Sequence, residues 1–138
     1  MKYRVAITGV GIISPLGNTY SEVADSLRAA RSGLRAYPEW GKFGLSSIVA
    51  GELKGVEELK AKCGIPKRKL ASMPASALYC TLAAKDAIED AGLSVEDLHS
   101  EKTACLVGSG VPCVETIYKE GDLTYSGKAN RVSPYSVS

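Results

Sequence analysis

The segment from Met73 to Ala91 constrains the fold more than any other part of the sequence. It is predicted as one long helix, capped by Ser72 and ended by Gly92. Most of its faces are apolar, and its small residues are Ala77, Cys80, Ala83, Ala84, Ala87 and Ala91. A helix of this kind is usually buried, with neighbouring backbone packed close against it. We therefore expect other layers of the fold to cover it.

Two short runs of β-prone residues are predicted as strands. Tyr3 to Thr8 leaves through Gly9-Val10-Gly11, and Thr103 to Val107 leaves through the loop GSGVP. After the first run, Thr19-Tyr20-Ser21-Glu22 fits a capping box that starts an amphipathic helix. Strands that alternate with helices predict an α/β layer structure with a largely parallel sheet.

The other elements follow weaker signals. The first helix should end at Gly33, and glycines break residues 34–62 into short pieces. Within those pieces we predict a strand from Ser47 to Ala50 and a short helix from Val56 to Ala61. The remaining local signals are a capping box at Ser94-Val95-Glu96-Asp97 and a polar, exposed connection from Gly121 to Arg131.

Composition excludes several classes of protein. The 138 residues suit one domain, and 17 basic against 15 acidic residues leave a charge of +2, too balanced for wholesale nucleic-acid binding. No apolar run reaches the roughly 20 residues that cross a bilayer, and MKYRVAITG does not read as a secretory signal. We therefore predict a cytosolic location.

The cysteines and the histidine do not form a metal-binding pattern. Cys63, Cys80, Cys105 and Cys113 contain no Cys-x-x-Cys pair, and His99 is the only histidine, so no zinc site is expected. Without a secretory signal, the cysteines should be free and mostly buried thiols. His99 should be a solvated surface residue.

The glycine loop GVGIISPLG, which follows the first predicted strand, has two interpretations. A dinucleotide fingerprint would need a third glycine at Ser14 and a helix that starts at once, whereas Pro15 and Gly17 delay the helix to Thr19. Glycines that permit a tight reversal between packed layers explain the loop better.

Five blocks together resemble one family, the β-ketoacyl-acyl-carrier-protein synthases and ketosynthase domains, which are condensing enzymes. The blocks, in the family's order, are VAITGVGIISPLGN, SLRAARSG, AAKDAIEDAGLS, LVGSGVP and RVSPYSV. The resemblance implies a thiolase-like layered αβαβα fold, of which residues 1–138 would be the N-terminal part of a single domain. It also implies decarboxylative condensation of an acyl thioester with a malonyl unit on acyl carrier protein, with no cofactor or metal, in a homodimeric enzyme.

Cys105 matches the family's nucleophile only superficially. That cysteine also follows a Thr-Ala pair, but on a sharp strand-to-helix turn whose amides stabilise the thiolate. Leu106 and Val107 instead extend an apolar run, which predicts a thiol buried in a sheet with a raised pKa. The resemblance implies that the nucleophile and the histidines that assist decarboxylation lie beyond Ser138. No catalytic residue is assigned within the chain.

The resemblance does imply binding residues. The acyl-chain pocket would be lined by Gly108, Ser109, Gly110, Val111, Tyr135 and Ser136. Ser136 stands where the family often has a bulky side chain, so the preference for chain length is open. Lys67-Arg68-Lys69, a basic run ahead of the long helix, would dock the acidic carrier protein.

Ordinary turn and core packing is the alternative for the pocket residues, and a solvated charge run would equally explain the basic ones. Two other functions also stay open for the chain. A ketosynthase relative without the nucleophile could be a non-catalytic dimer partner, of the chain-length-factor type, that shapes the pocket. A free-standing nucleotide-binding module is the other alternative.

Overall fold

The computed structural model describes residues 4–110 and 113–132, with the side chains of residues 71 and 72 left out. The described part is mainly helical and contains one pair of strands. In chain order the elements are α1 (Tyr20–Arg28), β1 (Leu34–Ala36), a 3-10 helix (Pro38–Phe43), β2 (Val49–Gly51), α2 (Val56–Lys62), α3 (Lys67–Ser72), α4 (Ala75–Asp90), α5 (Val95–Leu98), α6 (Val114–Tyr125) and a 3-10 helix (Ala129–Arg131).

Both predicted capping sites start helices, and the one at Ser94 is a complete capping box. The Thr19 hydroxyl accepts the Glu22 amide at 3.2 Å, and the Glu22 carboxylate accepts the preceding Asn18 amide at 2.8 Å. At α5, the Ser94 hydroxyl accepts the Asp97 amide at 3.1 Å, while the Asp97 carboxylate accepts the Ser94 amide at 2.9 Å. These bonds from Ser94 hold the pKa of the exposed Asp97 carboxyl below its usual value. Each cap satisfies amides that the helix itself cannot pair.

Two predicted helix boundaries are wrong. The first helix ends at Arg28 rather than near Gly33, because Ala30 takes a left-handed φ of 50° and turns the chain out of the helix. The long helix begins at Ala75, since Pro74 breaks it from α3, and Ser72 ends α3 rather than capping α4. Gly92, with φ of 63°, lies just past the helix end as predicted.

The only sheet among the described residues is an antiparallel pair. β1 and β2 align Leu34 with Gly51, Arg35 with Ala50 and Ala36 with Val49. The strand predicted from Ser47 to Ala50 is therefore present as β2, shifted by one to two residues toward the C-terminus. Arg35 pairs with Glu52 at 2.8 Å. The short helix predicted from Val56 to Ala61 is confirmed as α2.

The buried core lies where α4 meets the connection between α2 and α3. Its centre is Cys63, Leu78 and Leu82, which are 7%, 5% and 3% exposed. The apolar residues packed around that centre are Ile13, Val56, Leu59, Ile65, Leu70, Met73 and Tyr79. The long helix thus supplies Leu78 and Leu82 to the core centre, but its other residues are half-buried or exposed, so the predicted burial of the whole helix is not seen in the described part of the chain.

The two strands predicted at Tyr3 to Thr8 and Thr103 to Val107 are not strands in the described part of the chain. Residues 4–8 and 103–107 pair with no other segment there. Their side chains are open, with Val5 93%, Ile7 87% and Leu106 91% exposed. A strand is defined by its ladder of hydrogen bonds, so a β-prone run without a partner stays irregular.

Two further expectations are corrected. α6 runs through Gly121 to Tyr125, and a 3-10 helix follows at Ala129–Arg131, so most of the connection predicted from Gly121 to Arg131 is helical. All four cysteines are free, but only Cys63 is buried, while Cys113 is half-buried and Cys80 and Cys105 are exposed. No helix among the described residues is long and apolar enough to span a membrane.

Candidate functional site

The first glycine loop lies directly against the small-residue face of α4. A Cβ on Gly11 would come within 1.8 Å of the Ala83 carbonyl oxygen, and one on Gly9 within 2.2 Å of the Ala87 carbonyl oxygen. The Val10 amide donates to the Asp90 carboxylate at 2.9 Å. Neither glycine has a left-handed φ, so both are required by space rather than by backbone conformation. Close packing of backbone on α4 is thus confirmed.

The surroundings of this loop do not suit a nucleotide. A groove beside Val10 and Gly11 contains the carboxyl groups of Asp86, Glu89 and Asp90. The Glu22 carboxylate and the Thr19 hydroxyl already take amides at the start of α1. A pyrophosphate needs free amides and a positive field, and this site offers occupied amides and negative charge. Packing, rather than phosphate binding, explains the first glycine loop.

The second glycine loop is open. Gly108, Ser109 and Gly110 are all exposed, and a Cβ added at Gly108 or Gly110 would meet nothing within 4 Å. Nothing in the described part of the chain therefore requires these glycines. Val111, Tyr135 and Ser136, the other predicted pocket residues, lie outside the described residues.

Cys105 differs from its prediction in one respect. Its thiol is exposed rather than buried, because the segment around it pairs with no strand among the described residues. No helix starts at this thiol, and the next helix begins only at Val114. The described residues therefore place no helix-start amides at this sulfur to stabilise a thiolate, and the predicted burial of the thiol is wrong. His99 is exposed at the end of α5, as predicted.

Cys113 is the thiol that the sequence analysis missed. It is the residue that precedes α6, and the Thr116 hydroxyl, then the Thr116 amide and the Ala75 amide of α4, lower the pKa of its thiol. Such a thiol forms a thiolate more readily than an ordinary cysteine. No element was predicted for residues 113–120, so the helix start at Val114 beside this thiol was not expected.

The basic run lies in a helix that the sequence did not predict, and its side chains are exposed. Lys67, Arg68 and Lys69 form the first turn of α3 instead of preceding the long helix directly. Leu70, the next residue, packs against the core and so fixes which side of this turn faces inward. The three basic residues are brought together on one short helix, apart from the open loop at Gly108 in sequence.

The comparison that decides the family covers nearly the whole chain. Residues 2–138 match the model of the family described as "Beta-ketoacyl synthase, N-terminal domain". The chain belongs to the β-ketoacyl synthase family. The resemblance carried by the glycine loops and the RVSPYSV block is thereby confirmed.

Curated relatives of the chain are bacterial synthases. It is 37% identical over 107 residues to 3-oxoacyl-[acyl-carrier-protein] synthase 1 of Haemophilus influenzae, covering 78% of this chain and 25% of that protein. It is 24% identical over 136 residues to 3-oxoacyl-[acyl-carrier-protein] synthase 2 of Coxiella burnetii, covering 99% of this chain and 32% of that protein. The chain thus spans about a quarter to a third of the relatives it matches.

Solved structures agree with the family assignment. A β-ketoacyl synthase from Burkholderia phymatum superposes with a TM-score of 0.76 at 30% identity, over 94% of this chain and 32% of that one. A structure described as the ishigamide ketosynthase/chain length factor superposes with a TM-score of 0.74 at 27% identity, over 95% of this chain and 32% of that one. The described helices and strand pair thus have the arrangement of β-ketoacyl synthases.

Proposed function

We propose that the chain is the N-terminal part of a condensing enzyme. Such an enzyme extends an acyl thioester by two carbons taken from malonyl-acyl-carrier protein, with loss of carbon dioxide. A cysteine thiolate accepts the acyl group and releases the carrier thiol. The decarboxylated malonyl unit then attacks the acyl carbonyl and frees the cysteine. The family match over residues 2–138 carries this proposal.

The whole enzyme would have the layered αβαβα fold of the thiolase-like superfamily, with residues 1–138 as part of one domain. In it, residues 4–8 and 103–107 would be paired strands. The exposure of Val5, Ile7 and Leu106 supports this, because isolated β-prone segments seldom leave so many large apolar side chains open. The nucleophilic cysteine and the assisting histidines would lie beyond Ser138.

Within the chain, the open glycine loop would line the acyl-chain pocket. Gly108, Ser109 and Gly110 would let an extended acyl chain run close to the backbone, and Val111, Tyr135 and Ser136 would complete the wall. The observation that supports this is the empty space around Gly108 and Gly110, since no packing among the described residues explains them.

The basic turn of α3 would dock the acyl carrier protein. A carrier protein is acidic and helical, so exposed cations steer its approach and fix its orientation. Lys67, Arg68 and Lys69 are exposed and consecutive, which suits this role. The complete enzyme would be a homodimer. The four free thiols suit a reducing compartment, and we propose the cytosol.

Charge reversal at Arg68 tests the docking. In the full-length protein, Arg68→Glu should raise the KM for carrier-bound substrate about tenfold at low salt and leave the KM for a small free thioester unchanged. Lys102→Glu, which reverses an equally exposed cation after α5, is the control. An unchanged carrier KM at low salt in the Arg68 variant would contradict the docking role.

A second candidate function is a non-catalytic subunit that shapes the pocket of a ketosynthase partner. The structural similarity to a protein described as a ketosynthase/chain length factor supports this second candidate. The two functions differ in one readout, because only the condensing enzyme forms a covalent acyl intermediate. Acyl labelling of the full-length protein therefore distinguishes them.

A further inference from the structure

The connection between α2 and α3 carries cations on both sides. Lys62 lies in the last turn of α2, and Lys67 and Arg68 lie in the first turn of α3. All three side chains are exposed, and only residues 63–66 separate the two helices. Two helix ends thus present their charges at one bend of the chain.

Lys85 of α4 reaches over to this bend. Its ammonium donates a hydrogen bond to the carbonyl oxygen of Cys63, the residue that ends α2. Its Nζ also lies 3.9 Å from the place that a Cβ on Gly64 would take. A cation on the last carbonyl of a helix is favourable, because it pairs an oxygen that the helix leaves free and balances the helix dipole.

The same bend is anchored from the inside by packing. The Cys63 side chain is 7% exposed and belongs to the core centre with Leu78 and Leu82 of α4. Gly64 then turns with a left-handed φ of 69°, which other residues rarely adopt. The bend is thus held by core packing at Cys63 and by the bond from Lys85 to the last carbonyl of α2. In the described part of the chain, Lys85 forms no ion pair.

We propose that Lys85 is a positioning residue for partner docking: its hydrogen bond to Cys63 orients the bend so that Lys62, Lys67 and Arg68 form one surface for an acidic helical carrier. This rests on the docking role proposed above and adds Lys62 to the surface. Net charge alone speeds the encounter of two proteins, whereas productive docking also needs the cations in a fixed arrangement.

Hydrogen–deuterium exchange tests, without any partner, whether the hydrogen bond from Lys85 to Cys63 restrains the bend. The amides of Lys69 and Leu70 bond to the Pro66 carbonyl just after the bend. In the full-length protein, Lys85→Met should speed their exchange about tenfold. Lys85→Arg keeps the charge and the donor and should restore slow exchange, and Lys102→Met should leave it unchanged. Unchanged exchange in the Lys85→Met variant would contradict the claim that this hydrogen bond orients the bend.

Kinetics test the docking consequence. Lys85→Met should raise the KM for carrier-bound acyl substrate about three- to tenfold, the loss expected for one ordinary hydrogen bond. Its kcat and its KM for a free small thioester should stay unchanged, and Lys85→Arg should rescue the carrier KM.

Two outcomes distinguish a failure of this inference from a failure of the proposed carrier docking. If the Lys85→Met variant exchanges faster but keeps the wild-type carrier KM, the bend does not orient the docking surface and the inference is wrong. If the wild-type protein itself does not distinguish carrier-bound from free thioester, the proposed carrier docking fails, and the inference fails with it.

Discussion

The two glycine loops of the chain look alike in sequence and differ in structure. Gly9-Val10-Gly11 is pressed onto α4, where added Cβ atoms would overlap the carbonyl oxygens of Ala83 and Ala87. Gly108-Ser109-Gly110 is exposed, and added Cβ atoms at its glycines would meet nothing within 4 Å. The first loop is explained by packing inside the chain. The glycines of the second loop are not explained by packing among the described residues, which is the observation behind the proposed pocket role.

Alanine substitutions in the two loops should have the largest difference in effect. Gly11→Ala should lower the free energy of unfolding by about 3 kcal/mol, because the new methyl group must displace the backbone of α4. Gly108→Ala should change it by less than about 0.5 kcal/mol, since the site is open and its φ is not left-handed.

Urea unfolding of the two variants measures this difference. If Gly108→Ala also weakens substrate turnover, the pocket assignment is supported. Equal stability losses in both variants would contradict the comparison, because the second loop would then be packed as tightly as the first.

The segments that precede the two loops should promote association. Val5, Ile7, Leu106 and Val107 leave apolar surface and unpaired backbone open. We expect the 138-residue chain to associate at micromolar concentration, and the pair Val5→Lys and Ile7→Lys to shift it towards monomer in sedimentation velocity.

Val95→Lys is the matched control, since Val95 is 63% exposed but lies in α5 rather than in an unpaired segment. It should not change association. A monomeric wild-type chain with one sharp, cooperative melt would contradict the account of the open segments.

The thiols near the second loop should differ in how their alkylation depends on pH. The contacts of Cys113 lower the pKa of its thiol, so iodoacetamide should begin to modify it at a lower pH than it modifies a free cysteine peptide. Thr116→Val removes the largest of these contacts and should move the profile to higher pH. Cys63, which is buried, should react slowest at every pH.

Mass spectrometry of tryptic peptides measures each site separately. A Cys113 profile that lies at or above that of the free peptide would show that the Thr116 hydroxyl and the amides at the start of α6 and α4 do not reach the sulfur.

The local features of the fold were predictable from the sequence. The caps at Thr19 and Ser94 depend on side chains within three residues of each other, and both are present. The close approach of Gly9 and Gly11 to α4 follows from its small residues Ala83 and Ala87. Pro74 also carries a usable signal, because proline and the residue before it disfavour a continuous helix, which places the start of α4 after Pro74.

The predictions that were wrong concern features that depend on residues distant in sequence. Residues 103–107 have strand-forming side chains, but a strand needs a second strand, and the described residues supply none. The burial predicted for Cys105 failed with it, since that burial assumed the sheet. The bond from Lys85 to Cys63 joins positions 22 residues apart and leaves no pattern in the sequence.

The most direct test is to map the acyl group that the full-length protein accepts. After incubation with a radiolabelled acyl-carrier thioester, peptide mapping should place the label on the protein but on none of Cys63, Cys80, Cys105 and Cys113. That result would agree with a condensing enzyme whose nucleophile lies beyond Ser138. A stable label on Cys105 would contradict it.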